Sequence, residues 1–134
     1  MFAKRYDNSA SWHFGWRSCV TVSTHVLDAS LGRPAQGVPT ALFHQHARGD
    51  WTELLRGNTD ADGRLKGVSS TGEPLQLSHG IHRIDFETAA YFASVGQTGF
   101  YPQVSITFEV LDPLAHYHVP LLLSPFAYST YRGS

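Results

Sequence analysis

Eight histidines in 134 residues, several of them in patterned positions, are the first chemical signal in this chain. His116 and His118 stand two residues apart, as do His44 and His46. On a strand each such pair projects from one face. His25 lies in a run where Val20, Val22 and Val26 alternate with Thr21, Ser23 and His25, so it points outward or into an interface if the valines face the core. Same-face imidazoles can chelate zinc. A zinc site also needs a third protein ligand, and no cysteine cluster or His-Glu-x-x-His motif supplies one, so no metal is expected. Neutral imidazoles can instead act on water, because their ordinary pKa of about 6.5 leaves them basic near neutrality. Arg64 follows the turn sequence Asp60-Ala61-Asp62-Gly63. Asn58-x-Asp60-x-Asp62-Gly63 imitates the start of a calcium loop, but Ser69 occupies the twelfth position, where a bidentate Glu is needed. The segment reads as a hairpin turn. With no Gly-x-Ser-x-Gly elbow, a serine hydrolase is not indicated.

The tail adds a second signal. Residues 116–130 (HYHVPLLLSPFAYST) form a dense run, rich in aliphatic and aromatic side chains after Tyr117, that leads straight into Tyr131-Arg132-Gly133-Ser134. This pattern predicts a chain end held in a defined place, with Ser134 carrying a free carboxylate.

Period-two alternation is the strand signal that must position these groups. It predicts a first strand ending about Leu27, then strands over 38–46, 51–56, 64–68, 80–86, 104–110, 117–123 and 127–131. Residues 28–37 read as a connection and 69–78 as a polar loop. Thr88 is the predicted N-cap of a short helix over 89–95, with Gly96 as its stop. Seven or eight short strands, one helix and regularly spaced turns argue for an all-β antiparallel sandwich. Residues 1–18 are irregular and unperiodic and are read as an N-terminal extension, with the domain over 19–134; Trp12 and Trp16 could dock it on the body.

Composition bounds the function classes. The length fits one domain with a real core. Charged residues make up 16%, against roughly 25% in typical soluble domains, which predicts that part of the surface is covered by another copy. A net charge of -1 gives no electrostatic footprint for nucleic acid or an anionic membrane. The lone Cys19 cannot form an internal disulfide, no window approaches a membrane span, and residues 7–18 lack the apolar run of a secretory signal. A cytoplasmic protein is the expectation.

Taken together, the motifs resemble a known family. Ser23-Thr24-His25-Val26-Leu27-Asp28 is followed by Gly32-Arg33-Pro34-Ala35, then by Thr59-Asp60-Ala61-Asp62-Gly63-Arg64. His116-Tyr117-His118-Val119-Pro120-Leu121-Leu122-Leu123-Ser124-Pro125 and the closing Tyr131-Arg132-Gly133-Ser134 complete the set. From Val20 onward the chain resembles the 5-hydroxyisourate hydrolases, the transthyretin-like enzymes of urate breakdown. The resemblance implies two four-stranded sheets, a short helix, and a homotetramer built as a dimer of dimers with active sites in the clefts between dimers. It implies His25, Arg64, His118 and Ser134 as catalytic residues, with Tyr131 and Arg132 joining His25, Arg64 and Ser134 in substrate binding, and no cofactor.

The implied reaction adds water to a ring carbonyl of a small oxidised purine and breaks the adjacent C–N bond. His118 and His25 would share water activation and proton transfer, and Arg64 would stabilise the oxyanion. Ser134 would hydrogen-bond the ring edge or the water, and its carboxylate could orient a histidine. The sequence does not decide which histidine is the base. The rival readings are a transthyretin-like carrier that binds an aromatic ligand without turning it over, and an interaction module displaying residues 1–18. A hydrophobic carrier gains nothing from burying such polar groups.

Overall fold

Hydrophobic alternation has built two packed sheets in this computed structural model, which describes residues 21–68 and 71–134. The expected extension at residues 1–18, and Cys19 with it, lies outside the described residues. In chain order the elements are β1 (Val22–Asp28), β2 (Arg33–Pro34), β3 (Pro39–Gln45), β4 (Trp51–Asn58), β5 (Arg64–Lys66) and β6 (Gly80–Phe86). Then come α1 (Thr88–Ser94), β7 (Val104–Val110), β8 (Tyr117–Ser124) and β9 (Ala127–Thr130). One sheet runs β2-β1-β8-β9, with β5 also pairing β1; the other runs β4-β3-β6-β7.

The core lies between the sheets. Val22 and Val26 of β1, Leu121 and Leu123 of β8, Ile84 and Phe86 of β6 and Val104 and Val110 of β7 are buried there, with Tyr91 and Phe92 of α1. Alternation along β1 sends Val22, Thr24, Val26 and Asp28 inward and leaves Ser23, His25 and Leu27 half-buried on the outer face. The same rule turns Tyr117 and Val119 of β8 inward and His118 outward.

The sandwich and its single short helix agree with the expectation, with four departures in detail. The first sheet carries an extra strand, the two-residue β2, inside a segment read as a connection. Its central pair, β1 and β8, is parallel rather than antiparallel. These strands are joined through the whole second sheet, so no hairpin dictates their relative direction. Next, the Asp60–Gly63 turn does not close a hairpin: β4 pairs β3 in one sheet and β5 pairs β1 in the other. The turn is real, since the Asp60 carboxylate accepts the Asp62 and Arg64 backbone N–H groups at 2.9 and 3.0 Å, but its work is to carry the chain across the sandwich. Finally, Glu87, not Thr88, occupies the helix N-cap position, without a side-chain capping bond. The buried Thr88 hydroxyl donates instead to the Tyr101 carbonyl at 2.6 Å. Gly96 does end the helix region, its N–H donating to Ala93 O.

The end of β1 is fixed firmly. Asp28 is 1% exposed and accepts bonds from the Ser30 and Leu31 N–H groups, the Ser30 hydroxyl and, at 2.6 Å, the Tyr91 hydroxyl of α1. Burial alone would raise its pKa; the donors, Tyr91 first, outweigh that and hold it below the ordinary carboxylate value. The Tyr91 phenol is pushed up correspondingly, by burial and by the carboxylate it faces. The strand that carries His25 is thereby tied to the helix.

Candidate active site

Two strands flank β1 and each brings a site residue beside it. On one flank β5 pairs antiparallel, with His25 opposite Arg64 and Ser23 opposite Lys66. Gly63 makes that approach possible. Its φ is +76° and a Cβ there would meet the Val26 carbonyl oxygen at 2.3 Å, while its own carbonyl accepts the Val26 N–H at 2.7 Å. Only a residue without a side chain allows β5 to enter against β1 at this point. Arg64 then stands exposed at the sheet face.

On the other flank β8 runs parallel, with Ser23 beside His118 and His25 beside Pro120. The Ser23 hydroxyl lies 2.8 Å from His118 Nδ1 and 3.2 Å from His116 Nε2. The two imidazoles are nearly parallel, with centroids 6.4 Å apart and planes at 15°. Burial lowers the His118 pKa below its ordinary value, and the charge of Arg64 and the neighbouring His116 and His25 push in the same direction. His118 is therefore a neutral base near pH 7. His25 Nε2 is buried and, among the described residues, has no hydrogen-bond partner. An unpaired buried ring nitrogen is costly.

The tail returns to this strand. After β9 the chain forms a bridge between Gly133 and His118, and the Gly133 N–H donates to the His118 carbonyl at 2.8 Å. Ser134 follows one residue further on and is exposed. Tyr131 and Arg132 stay close to it, and an Arg132 N–H donates to the His116 carbonyl at 3.5 Å. The Arg132 guanidinium lies 4.7 Å from the centre of the Tyr117 ring, and Tyr117 packs on Phe108 of the opposite sheet. Both tail residues line a cavity of about 260 Å³ with His118, Ile106, Phe108, Tyr117 and Val119, between β7 and the β8–tail layer. The structure thus brings His25, Arg64 and His118 together on the outer face of one sheet, with Ser134 at its edge. Tyr131 and Arg132 border His118 through the shared cavity.

The other histidine pair is built differently. His44 of β3 sits beside His82 of β6, centroids 4.7 Å apart, and His46 packs edge-on against His44 at 5.3 Å. Among the described residues, no three His, Cys, Asp or Glu side chains are arranged to hold a metal ion, and no helix is long and apolar enough to cross a membrane. Sequence reasoning passed over Ser23, His116 and Gly133 as members of the site. The β1 alternation carried a signal for Ser23, since it shares the face of His25.

Comparison with known proteins places this geometry. The profile of the HIUase/Transthyretin family matches residues 22–133. The chain belongs to that family. Among family members, a 5-hydroxyisourate hydrolase of Salmonella dublin is 42% identical over 113 residues, covering 84% of this chain and 80% of that protein. The solved 5-hydroxyisourate hydrolase of Klebsiella pneumoniae superposes with a TM-score of 0.71 at 34% identity, covering 87% of this chain and 100% of that one. Sea bream transthyretin, solved in complex with thyroxine, superposes with a TM-score of 0.74 at 32% identity over 84% of this chain and 94% of its own. The family fold thus occurs both in 5-hydroxyisourate hydrolases and in a transthyretin that binds thyroxine.

Proposed function

We propose that this chain hydrolyses 5-hydroxyisourate to 2-oxo-4-hydroxy-4-carboxy-5-ureidoimidazoline in urate breakdown. The observation that carries the reading is the meeting of a neutral His118, His25 and Arg64 on one sheet face, in a chain 42% identical to a 5-hydroxyisourate hydrolase.

In the proposed mechanism His118 Nε2 takes a proton from water as the water oxygen attacks the ring carbonyl carbon. The carbonyl electron pair moves onto oxygen, and the permanently charged Arg64 stabilises it. A base of this kind contributes roughly 10²- to 10⁴-fold, and an oxyanion donor about 3–4 kcal/mol. The tetrahedral intermediate collapses by breaking the adjacent C–N bond, and a histidine returns the proton to the leaving nitrogen. His25, whose Nε2 has no partner among the described residues, holds the ring and shares that proton transfer, and Ser134 binds the ring edge.

In one chain these residues stand on an open sheet face, whereas hydrolytic chemistry gains from an enclosed cleft. A homotetramer arranged as a dimer of dimers would close it, and residues 19–134 form its domain unit with 1–18 as an extension. Light scattering on the purified protein tests the assembly. The cytoplasmic location expected from the sequence belongs to the same proposal and is checked by fractionation.

The activity is tested by generating 5-hydroxyisourate with urate oxidase and following the decay of its ultraviolet absorbance. Decay well above the spontaneous rate, lost in Arg64→Ala, supports the hydrolase. No acceleration from folded protein would shift the reading to ligand binding without turnover.

A further inference from the structure

A base must present a lone pair, and an imidazole has two nitrogens that can trade roles. The partner on one nitrogen sets the state of the other. For His118 that partner is Ser23, at 2.8 Å from Nδ1. We infer that Ser23 is a positioning residue for the reaction: its hydroxyl accepts the His118 Nδ1–H, donates its own proton to His116 Nε2, and so keeps the lone pair on His118 Nε2. This inference rests on the reading of His118 as the base.

The proton count leaves two arrangements. A serine hydroxyl has one proton to give and lone pairs to receive. Between two imidazole nitrogens, at 2.8 and 3.2 Å, it can donate to one and accept from the other. If it donates to His118, the proton of that ring sits on Nε2 and the ring cannot take one from water. If it donates to His116, His118 carries Nδ1–H and its Nε2 is basic. The reaction requires the second arrangement, and the His116 ring is what makes it available, because it gives the hydroxyl proton a destination. When His118 becomes protonated during turnover, Nδ1–H keeps the same acceptor, so no rearrangement accompanies the step. The charged and titratable groups around His118 are Arg64 from β5 and His25 from β1, with Lys66 opposite Ser23, and His116 just ahead of β8. Arg132 of the tail stacks on Tyr117, lines a cavity with His118 and donates to the His116 carbonyl. None of these groups is hydrogen-bonded to Nδ1; the Ser23 hydroxyl is.

The test combines kinetics with long-range ¹H–¹⁵N imidazole spectra of the full chain. Wild type should show His118 as the Nδ1–H tautomer. Ser23→Ala should lose that preference and about tenfold in kcat, the scale of one hydrogen bond converted to rate, with KM within about twofold. Ser23→Thr, which keeps the hydroxyl, should restore both. His116→Phe keeps a ring in the stack but removes the acceptor, and should fall in between; it decides the matter if Ser23→Ala does not fold. An unchanged tautomer and kcat in Ser23→Ala, or failure of Ser23→Thr to rescue, overturns the inference. His118→Ala serves as the control: if it keeps full activity, the base assignment itself fails, whatever Ser23 does.

Discussion

Gly133 lies against the imidazole of His118. Its N–H bonds the His118 carbonyl at 2.8 Å, and a Cβ on it would come within 2.4 Å of His118 Cδ2 and 3.0 Å of Cγ. The tail therefore forms a wall against one side of that imidazole, and only glycine leaves room for the ring.

A methyl group at this position should displace either the ring or the tail. Gly133→Ala is expected to lower kcat/KM by about 10- to 100-fold, because misplacement of a reacting group by about 1 Å costs up to 10²-fold. The melting temperature should stay near wild type, since the contact lies on the outer face of the sheet. A steady-state assay paired with thermal melting checks both halves.

The proposed role of Arg64 makes both the rate and the pH response depend on it. Arg64→Ala should cost about 10²- to 10³-fold in kcat, and Arg64→Lys should recover little of it, because an ammonium lacks the planar fork. The base must be neutral, so activity should fall as pH drops through the His118 pKa, which lies below 6.5 in the folded protein. Removing the Arg64 charge removes one of the causes of that depression. The acid limb of residual activity in Arg64→Ala should therefore move to higher pH, and a limb that stays in place or moves down contradicts the assignment.

His82 predicts acid lability of the fold. It is 0% exposed, its Nε2 has no partner among the described residues, and burial holds its pKa below 6.5, with His44 adding to the effect and the Gly80 carbonyl opposing it. The unfolded chain takes up this proton before the folded one does. The associated stability is complete above about pH 6.5 and is lost as pH falls from there through the folded value. Melting temperatures measured from pH 8 down to 5 should show that decline, and His82→Phe, which keeps a ring stacked on Phe108, should flatten it.

Tyr91 anchors the helix to the strand that bears His25. Tyr91→Phe removes one donor from a buried carboxylate and should cost about 1.5–3 kcal/mol in urea unfolding, the usual worth of a hydrogen bond to a charged group. Turnover of the folded fraction should change far less.

What the sequence disclosed follows from what alternation can encode. β6 and β7 coincide with the predicted 80–86 and 104–110 because each is half-buried, and period two then reads directly in residue types. Alternation says nothing about which strand lies next door. The parallel pairing of β1 with β8, and the passage of the Asp60–Gly63 turn between sheets, were accordingly hidden. His25, Arg64 and His118 were found through their motifs, and their shared face depends on those unseen pairings. Arg132, which the family resemblance assigns to substrate binding, stacks on the Tyr117 ring and lines a cavity with His118, a placement that alternation alone does not encode. Thr88 had the residue type of a cap, and a buried carbonyl at Tyr101 claimed its hydroxyl first.

The parallel ladder between β1 and β8 also determines when, during folding, this protein can acquire activity. Ser23 and His118 are 95 residues apart, and the strands that carry them become neighbours only after the chain has travelled through the other sheet and back. Such distant pairings are slow to form, because the entropy of closing the loop is lost before the contacts compensate for it. The first strand thus waits for the eighth, with its histidine, serine and arginine-bearing neighbour already in sequence but lacking the second imidazole. Catalytic competence would then mark completion of the topology itself, so regain of turnover after dilution from denaturant times the closure of the whole sandwich.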